Sequence, residues 1–388
     1  MRFQCFEDST TENTGTSTDN PILKLINDNN ISVAISTLGA AVTEFSVPDK
    51  HGIFKNIALS LSPVSQYVNS ASYAGATLGP NAGRIRGGEL SIDRKTYFLT
   101  RNEGVNQLHG GFDNFSFAKW NIVNITRDDN QAALTLEHTA ADGLDGYPGE
   151  RKVSVTYTLD NSNALTINFQ AETDKPTWFN LSNHTYWNLS GDFAHSAAGQ
   201  VLTIRAQSVL YNDTQNLPAA FHPVAGTPFD FRTAHRVRDQ LNAYPDDSQI
   251  IQGRGYNNAF LLEGAAQTDA LEPDAGRPAN DRRGTAAPQT VRTAAVLTDD
   301  GSGRRMTIST DYPSLVFYSG GFLGSSITLA GGIPGTPSCA LALEAQEFPD
   351  ALHLPDVPHP IVRPGELWQR TIRFAFDLAE EAGGNAAE

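Results

Sequence analysis

The feature that most constrains this chain is an alternation of apolar and polar residues with a period of two. The segment VSVTYTL at 153–159 places its valines, Tyr157 and Leu159 on one face and its hydroxyl residues on the other. The turn-forming sequence DNSN follows, and 164–172 then resumes the pattern, which predicts a hairpin over 153–172. Successive side chains of a strand point to opposite faces of a sheet, so this period is typical of strands with one buried face.

The same alternation recurs along the chain in segments that are rich in β-branched residues and flanked by Gly, Asn, Asp or Pro. These further predicted strands lie at 31–37, 132–139, 305–311 and 370–378. Helical periodicity is scarce, and a short helix is predicted near 232–243. The fold class is therefore predicted as all-β, a large sandwich or barrel of antiparallel strands.

The domain organisation is predicted as one large unit. We expect a polar N-terminal segment over 1–20, a single β-sandwich domain over 21–380 and a C-terminal tail over 381–388. The segment 264–294 is rich in Gly, Pro, Ala, Asp and Arg, which predicts a surface insertion inside a strand pair. A linker between two domains is the alternative, and it is disfavoured because the strands that follow would need partners from upstream.

Charge and composition limit the partners. The formal net charge of −15 disfavours nucleic acid and anionic membranes, whereas a neutral small molecule is compatible with it. No apolar run approaches the roughly 18 residues of a membrane span, and the N-terminus lacks the apolar stretch of a signal peptide. Two cysteines, Cys5 and Cys339, do not make a disulfide framework. We expect a cytoplasmic protein that is a monomer or a homodimer.

Several common kinds of site are poorly supported by the motifs. His109 and His184 lie far apart and lack a third ligand at a usual spacing, so a metal site is not expected. The glycine-rich segment 79–88 has neither P-loop nor dinucleotide spacing, and the chain contains no G-x-S-x-G sequence for a serine nucleophile.

General acid–base chemistry remains, and it needs one group that accepts a proton and one that donates a proton. Glu344 lies within the apolar sequence ALALEAQEF, where desolvation would raise its pKa and make it a stronger base. An imidazole is the natural acid near neutral pH. The sequence therefore favours a carboxylate–imidazole pair.

Several motifs in order resemble those of the aldose 1-epimerases, the galactose mutarotases. They are NQLHGG (106–111), NLSNHTYWNLSG (180–191), GTPFDFR (226–232), LEAQEFPDALHLPD (343–356) and VRPGE (362–366). The similarity extends from about 37–45 to 370–376 and so covers most of the chain.

The resemblance implies a galactose mutarotase-like β-supersandwich and an isomerase that interconverts the α and β anomers of free galactose- or glucose-type hexoses. It implies Glu344 as the general base and His184 as the general acid. It also implies sugar binding by His109 and Arg84, and we add Asn257 and Gln346 to the substrate-binding set. The expected partner is a small sugar, with no cofactor and no metal.

Two further expectations concern the surroundings of the sugar. An aromatic side chain such as Trp187 or Phe260 is expected to stack on its C–H face. Asn183, Thr185 and Tyr186 are expected to fix the orientation and tautomer of the His184 ring.

Three departures from the family pattern keep other functions open. Asn257 and Asn258 occupy the place of an Asp-His pair, and Gly83 stands where many members have Asn. The loop at 320–324 reads GGFLG where the family has a GN-F-L sequence. A non-catalytic sugar-binding or sensing protein on the same fold is one alternative, because a fold does not guarantee activity. An epimerase for a different or modified sugar is another, and Arg84 and Arg86 keep a sugar phosphate open.

Overall fold

The computed structural model describes residues 1–6, 20–264, 290–355 and 357–379. Most of its regular structure is short strands, as the alternation predicts. The strands are β1 Arg2–Phe6, β2 Ile22–Ile26, β3 Ser32–Ser36, β4 Ala41–Pro48, β5 Phe54–Asn56, β6 Thr77–Leu78, β7 Arg84–Ile85, β8 Glu89–Ile92, β9 Lys95–Phe98, β10 Gln107–Leu108, β11 Asn121–Arg127, β12 Gln131–Ala140, β13 Arg151–Asp160, β14 Ala164–Thr173, β15 Thr177–Trp178, β16 Ser182–Asn183, β17 Tyr186–Trp187, β18 Val201–Ile204, β19 Ala206–Asn212, β20 Pro218–Pro223, β21 His235–Arg236, β22 Asn257–Leu262, β23 Arg292–Thr298, β24 Arg304–Thr310, β25 Ser314–Tyr318, β26 Thr328–Leu329, β27 Ile333–Pro334, β28 Leu341–Gln346, β29 Ile361–Val362 and β30 Trp368–Leu378. Two short helices, α1 Val237–Ala243 and α2 Ser248–Gly253, are accompanied by 3₁₀ turns at Val64–Tyr67, Arg86–Gly88, Leu144–Gly146 and Ala197–Gly199.

Three sheets organise the molecule. A nine-stranded sheet has the order β11-β12-β13-β14-β30-β24-β23-β18-β21, and a six-stranded sheet has the order β17-β28-β25-β22-β19-β20. A five-stranded meander runs from β1 to β5, and the remaining strands form two-stranded pairs. Neighbouring strands in these sheets are antiparallel, which confirms the predicted all-β class.

One apolar core joins the three sheets. Leu25 of the five-stranded sheet, Val155 of the nine-stranded sheet and Leu343 of the six-stranded sheet all belong to the same buried cluster. Along β13 every second residue is buried, so the alternation seen in the sequence is the alternation of core-facing side chains. Burial of this apolar surface stabilises the sandwich at roughly 25 cal/mol per Å².

Most predicted elements are confirmed. Strands β13 and β14 form the hairpin predicted over 153–172, with Leu159 opposite Leu165. The predicted strands match β3, β12, β24 and β30, and the helix predicted near 232–243 is α1. No helix among the described residues is long and apolar enough to cross a membrane.

The prediction for 264–294 needs one correction. The flanking strand β22 pairs with β19 and β25, whereas β23 pairs with β18 and β24. The segment therefore connects two different sheets and does not lie inside a strand pair. Residues 265–289 lie outside the described residues, as do residues 7–19 of the predicted N-terminal segment, residue 380 and the whole of the predicted tail over 381–388.

Candidate active site

Strand β28 places Glu344 on the face of the six-stranded sheet that points away from the main core. Leu341, Leu343 and Ala345 belong to the core cluster. The alternate residues Glu344 and Gln346 line a cleft of about 590 Å³ on the opposite face. All the residues of β28 are buried, because the core covers one face and the walls of the cleft cover the other.

The cleft brings together the six residues that the sequence nominated for catalysis and for polar contacts with the substrate. Its lining includes Arg84, His109, His184, Asn257, Glu344 and Gln346. These residues come from β7, the turn after β10, the β16–β17 connection, β22 and β28, so the fold assembles them from distant parts of the chain.

Glu344 and His184 face each other inside the cleft. Their side chains are only 5% and 6% exposed, and His184 Nε2 lies 3.6 Å from Glu344 Oε1. Nδ1 of His184 has no hydrogen-bond partner among the described residues. Both groups are therefore withdrawn from water and lie side by side, where a molecule bound against the pair can exchange protons with both of them.

Burial shifts the two pKa values in opposite directions. Loss of solvation raises the pKa of Glu344 to about 8, because a carboxylate is less stable than a carboxylic acid away from water. The same loss lowers the pKa of His184 to about 4, because the imidazolium is the charged form of that side chain. At neutral pH these two shifts favour a protonated Glu344 carboxyl group and a neutral His184 imidazole.

The backbone of His184 is fixed by β6 and its surroundings. Its N–H donates to Ala76 O at 2.9 Å, and its carbonyl accepts from the N–H of Gly75 at 2.9 Å. Asn183 Oδ1 accepts from the hydroxyl of Thr185 at 2.6 Å, and Asn183 Nδ2 donates to Gly75 O.

These contacts correct one expectation about the His184 ring. Asn183 and Thr185 hold the main chain and do not contact the imidazole nitrogens, so they do not set its tautomer. Tyr186 does contact the ring, since the two rings stack with centroids 4.6 Å apart.

His109 is held by an unusual backbone and by a hydrogen bond from the main chain. It has a φ of +50°, and its Nδ1 accepts the N–H of Gly83 at 3.1 Å. Nδ1 is therefore the acceptor, and the hydrogen of the neutral ring is assigned to Nε2. Burial, followed by the nearby His184 and Arg84, holds the pKa of His109 well below its usual range.

Arg84 enters the cleft as half of an ion pair. Its Nε and Nη2 donate to the two carboxylate oxygens of Glu103 at 2.6 Å each. Arg84 is 18% exposed and Glu103 is 37% exposed, so the pair lies at the edge of the cleft.

Asn257 and Gln346 present amide groups to the cleft. Asn257 lies on β22 opposite Tyr318, and Gln346 is fully buried with an Oε1 that lacks a partner among the described residues. The neighbouring Asn258 points the other way, and its Nδ2 donates to Leu210 O and to Gln249 Oε1. Of the two asparagines that replace the family's Asp-His pair, only Asn257 faces the cleft.

The expectation of aromatic stacking from Trp187 or Phe260 is wrong. Both side chains belong to the main core, because the strand alternation turns them toward the nine-stranded sheet. The aromatic residues that line the cleft are Tyr73, Tyr186, Tyr318 and Phe322.

Tyr73 and Glu103 are among the polar residues of the cleft that sequence reasoning missed. Tyr73 also has a left-handed backbone with a φ of +50°, and its ring packs on that of His109 with centroids 4.7 Å apart. A bulky residue rarely adopts this conformation, and such strain is concentrated at functional sites. Neither residue belongs to a recognisable motif. Tyr73 has only its position just before Gly75 as a signal, and Glu103 only its place in the turn before the LHGG motif.

Comparison with known proteins shows the family to which the chain belongs. The sequence model of the family Aldose 1-epimerase matches residues 21–375. Galactose mutarotase from Mus musculus is 31% identical over 350 residues, which cover 90% of this chain and 92% of the mouse protein. Aldose 1-epimerase from Escherichia coli strain K12 is 31% identical over 358 residues, covering 92% and 94% of the two chains.

Solved structures show the same fold. The crystal structure of galactose 1-epimerase from Lactobacillus acidophilus NCFM superimposes with a TM-score of 0.77 at 28% identity, covering 98% of this chain and 99% of the other. An aldose epimerase homologue from C. elegans gives a TM-score of 0.77 at 25% identity, covering 92% and 98%. With its motifs in order, its fold and its relatives in agreement, the chain belongs to the aldose 1-epimerase family of isomerases.

Proposed function

We propose that this protein interconverts the α and β anomers of free hexoses of the galactose or glucose type, with Glu344 as base and His184 as acid. The observation that carries the proposal is the pair itself, two side chains 3.6 Å apart in a cleft and almost fully withdrawn from water. The names of the mouse and E. coli relatives support the substrate class.

Ring opening requires one proton to leave and another to arrive. Glu344 as carboxylate removes the proton of the anomeric hydroxyl, the C1–O5 bond breaks as the C1 carbonyl forms, and protonated His184 delivers its proton to O5. Rotation about the C1–C2 bond exposes the other face of the aldehyde, and the reverse transfers close the ring. Each transfer contributes roughly 100- to 10,000-fold, and neither needs a redox cofactor.

The starting protonation state follows from the pair's single proton. Transfer of that proton from Glu344 to His184 Nε2 converts an acid and a neutral imidazole into a carboxylate and an imidazolium. Burial disfavours each of these ions, and their mutual attraction across 3.6 Å offsets part of that cost. This ionised form of the pair is the one that reacts in the proposed mechanism.

Four further residues have groups suited to sugar hydroxyls. Arg84 Nη1 donates to none of the described residues, and His109 presents Nε2–H. Asn257 and Gln346 each offer an amide that both donates and accepts, and Gln346 Oε1 has no partner within the part of the chain that the structure describes. Such fixed donors and acceptors orient the anomeric hydroxyl toward the base and the ring oxygen toward the acid.

Polarimetry tests the proposal. Freshly dissolved α-D-galactose, α-D-glucose and a panel of other aldoses are followed at neutral pH with catalytic amounts of protein. We expect acceleration over buffer for at least one neutral hexose. Binding without acceleration of any aldose would contradict the proposal and would favour the sugar-binding alternative.

Residence in the cytoplasm and a monomeric or homodimeric state belong to the same proposal. Cytoplasmic residence is the expectation for a chain with only two cysteines, which make no disulfide framework. Subcellular fractionation and light scattering test them.

A further inference from the structure

The cleft has a balanced charge. Among the described residues that line it, Arg84 is the only arginine or lysine, and the only carboxyl groups are those of Glu103 and Glu344. Glu103 accepts from two nitrogens of the Arg84 guanidinium at 2.6 Å each, which is the bidentate geometry of a strong carboxylate pair. The positive charge of Arg84 is thereby compensated inside the protein.

Both partners of this pair are anchored. Arg84 lies on β7, where it is opposite Leu108 of β10, and its carbonyl accepts the N–H of Asp350. Glu103 lies in a tight turn closed by reciprocal main-chain hydrogen bonds with Asn106 at 3.0 and 3.2 Å. An anchored carboxylate costs less entropy to hold in place than a side chain on a free surface, so this pair persists better than an ordinary surface ion pair.

The second arginine of the GRIRGG sequence is compensated as well. Arg86 lies beside two carboxylates, with Nη1 3.1 Å from Asp213 and Nε 3.3 Å from Asp350. It does not line the cleft. The two arginines that kept a sugar phosphate open are thus both paired with carboxylates.

An anionic sugar would meet an unfavourable cleft. Its phosphate or carboxylate would lose water without gaining a free cation, which is costly for a charge. The Glu103 carboxylate would also repel it at short range.

We propose that Glu103 is a specificity-determining residue that restricts the cleft to uncharged aldoses by occupying Arg84. The inference rests on the proposed function, since it concerns which sugars reach the same cleft. It predicts that removal of the Glu103 charge frees the guanidinium for an anionic substituent of the sugar.

The test compares wild type with Glu103→Gln on sugars that share a free anomeric carbon. D-Galactose is the neutral sugar, and D-galacturonate and D-galactose 3-sulfate carry an anion at C6 and at C3. Dissociation constants are measured by calorimetry and kcat/KM by polarimetry. We expect the anionic-to-neutral ratio to rise at least about tenfold in Glu103→Gln for one or both anionic sugars.

Two control variants isolate the charge in the cleft. Glu103→Asp keeps the negative charge and is expected to keep a ratio close to that of wild type. Glu44→Gln removes a carboxylate of the same kind elsewhere, because Glu44 pairs with Lys24 at 2.6 Å and is 35% exposed, against 37% for Glu103. It should leave the ratio unchanged.

The outcomes separate this inference from the proposed function. If wild type accelerates the mutarotation of no neutral aldose, the proposed function is contradicted. The anionic-to-neutral ratios of the dissociation constants then still test the inference about Glu103. Unchanged ratios in Glu103→Gln overturn the inference alone. Equal loss of neutral and anionic binding in a folded variant also overturns it, since Glu103 would then only orient Arg84. Glu103→Ala repeats the comparison if Glu103→Gln does not fold.

Discussion

Two buried glutamates close together in sequence have opposite surroundings. Glu347, at 3% exposed, accepts from Arg370 Nε at 2.8 Å and Nη2 at 2.5 Å. Glu344, at 4% exposed, forms no ion pair with a lysine or arginine among the described residues, and His184 Nε2 lies 3.6 Å from its carboxyl oxygen. Burial raises the pKa of both carboxyls, but Arg370 opposes that shift at Glu347.

The difference shows that buried charged groups with a structural role and buried groups of the cleft are surrounded differently in this fold. Buried charges with structural roles are satisfied by several partners, as with Arg304, which donates to the carbonyls of Val47, Leu189, Ser190 and Ile53. In the cleft, His184 Nδ1 and Gln346 Oε1 have no hydrogen-bond partner among the described residues, which is unfavourable for folding and keeps them available to a ligand.

The largest expected effect is on catalysis. Glu344→Gln removes the base and is expected to lower kcat for a hexose by roughly 100- to 10,000-fold. His184→Asn, which removes the acid, should lower kcat by a similar factor. Glu347→Gln changes the buried pair outside the cleft, and its folded fraction should keep kcat within a few-fold of wild type. Polarimetry of the variants below their unfolding temperatures measures kcat for each. An equal loss of kcat in Glu344→Gln and Glu347→Gln would contradict the assignment of different roles to the two glutamates.

The next effect is on stability at the paired glutamate. Arg370→Met leaves the Glu347 carboxylate buried without its cation and is expected to lower the free energy of unfolding by about 3 to 5 kcal/mol. Arg373→Met on the same strand is the matched control. Arg373 is 36% exposed and lies 3.9 Å from Asp160, so its loss should cost less than about 1 kcal/mol. Urea unfolding measures both, and similar costs for the two arginines would contradict the account.

A smaller change in the free energy of unfolding, of opposite sign, is expected when Glu344 is replaced by glutamine. The pKa of Glu344 is about 8 in the folded protein and 4.5 as the ordinary value, so the folded state holds a proton that the unfolded state releases between these pH values. Stability of wild type therefore falls as pH rises through this window, whereas that of Glu344→Gln does not.

At pH 7 the Glu344→Gln variant should be more stable than wild type by up to roughly 3 kcal/mol, and below pH 4 this ionisation advantage should vanish. Urea unfolding at the two pH values checks the sign. A difference between the proteins that does not change with pH would mean that Glu344 does not titrate as an unpaired buried carboxyl.

The smallest effect concerns sugar preference. Asn257→Asp restores a charged acceptor in the cleft, and we expect the ratio of kcat/KM between galactose and glucose to change a few-fold. Asn124→Asp on the exposed strand β11 is the control and should leave that ratio unchanged. An unchanged ratio in both variants would place Asn257 out of contact with the sugar.

Local pattern was sufficient to predict much of the fold. Strands such as β13 and β14 have one buried face, so their alternation is visible in the sequence. The orientation of β17 and β22 was harder to predict, because nearly all of their residues are buried and an apolar run does not reveal which face meets the core. This is why Trp187 and Phe260 were assigned to the sugar and proved to be core residues.

The candidate site likewise contains residues that the sequence predicts and residues that only the structure reveals. Motifs in order were enough to nominate Glu344, His184, His109 and Arg84, which the cleft brings together. The role proposed for Glu103 could be inferred only from the structure. Nothing in the sequence indicates that its carboxylate accepts two hydrogen bonds from Arg84. Whether the positive charge of Arg84 is compensated depends on side-chain positions, which cannot be read from the composition of the chain.

The most direct test of the acid–base pair is the pH dependence of kcat/KM for galactose, measured by polarimetry in wild type and in Glu344→Gln. The reactive pair holds one proton, so activity should be highest between the two apparent pKa values of the pair, falling as pH drops through about 4 and as it rises through about 8. The residual activity of Glu344→Gln should lack the fall above pH 8. A wild-type profile that is flat across this range, or an alkaline fall that persists unchanged without the carboxyl group, would contradict the assignment of Glu344 and His184 as the groups that move the protons.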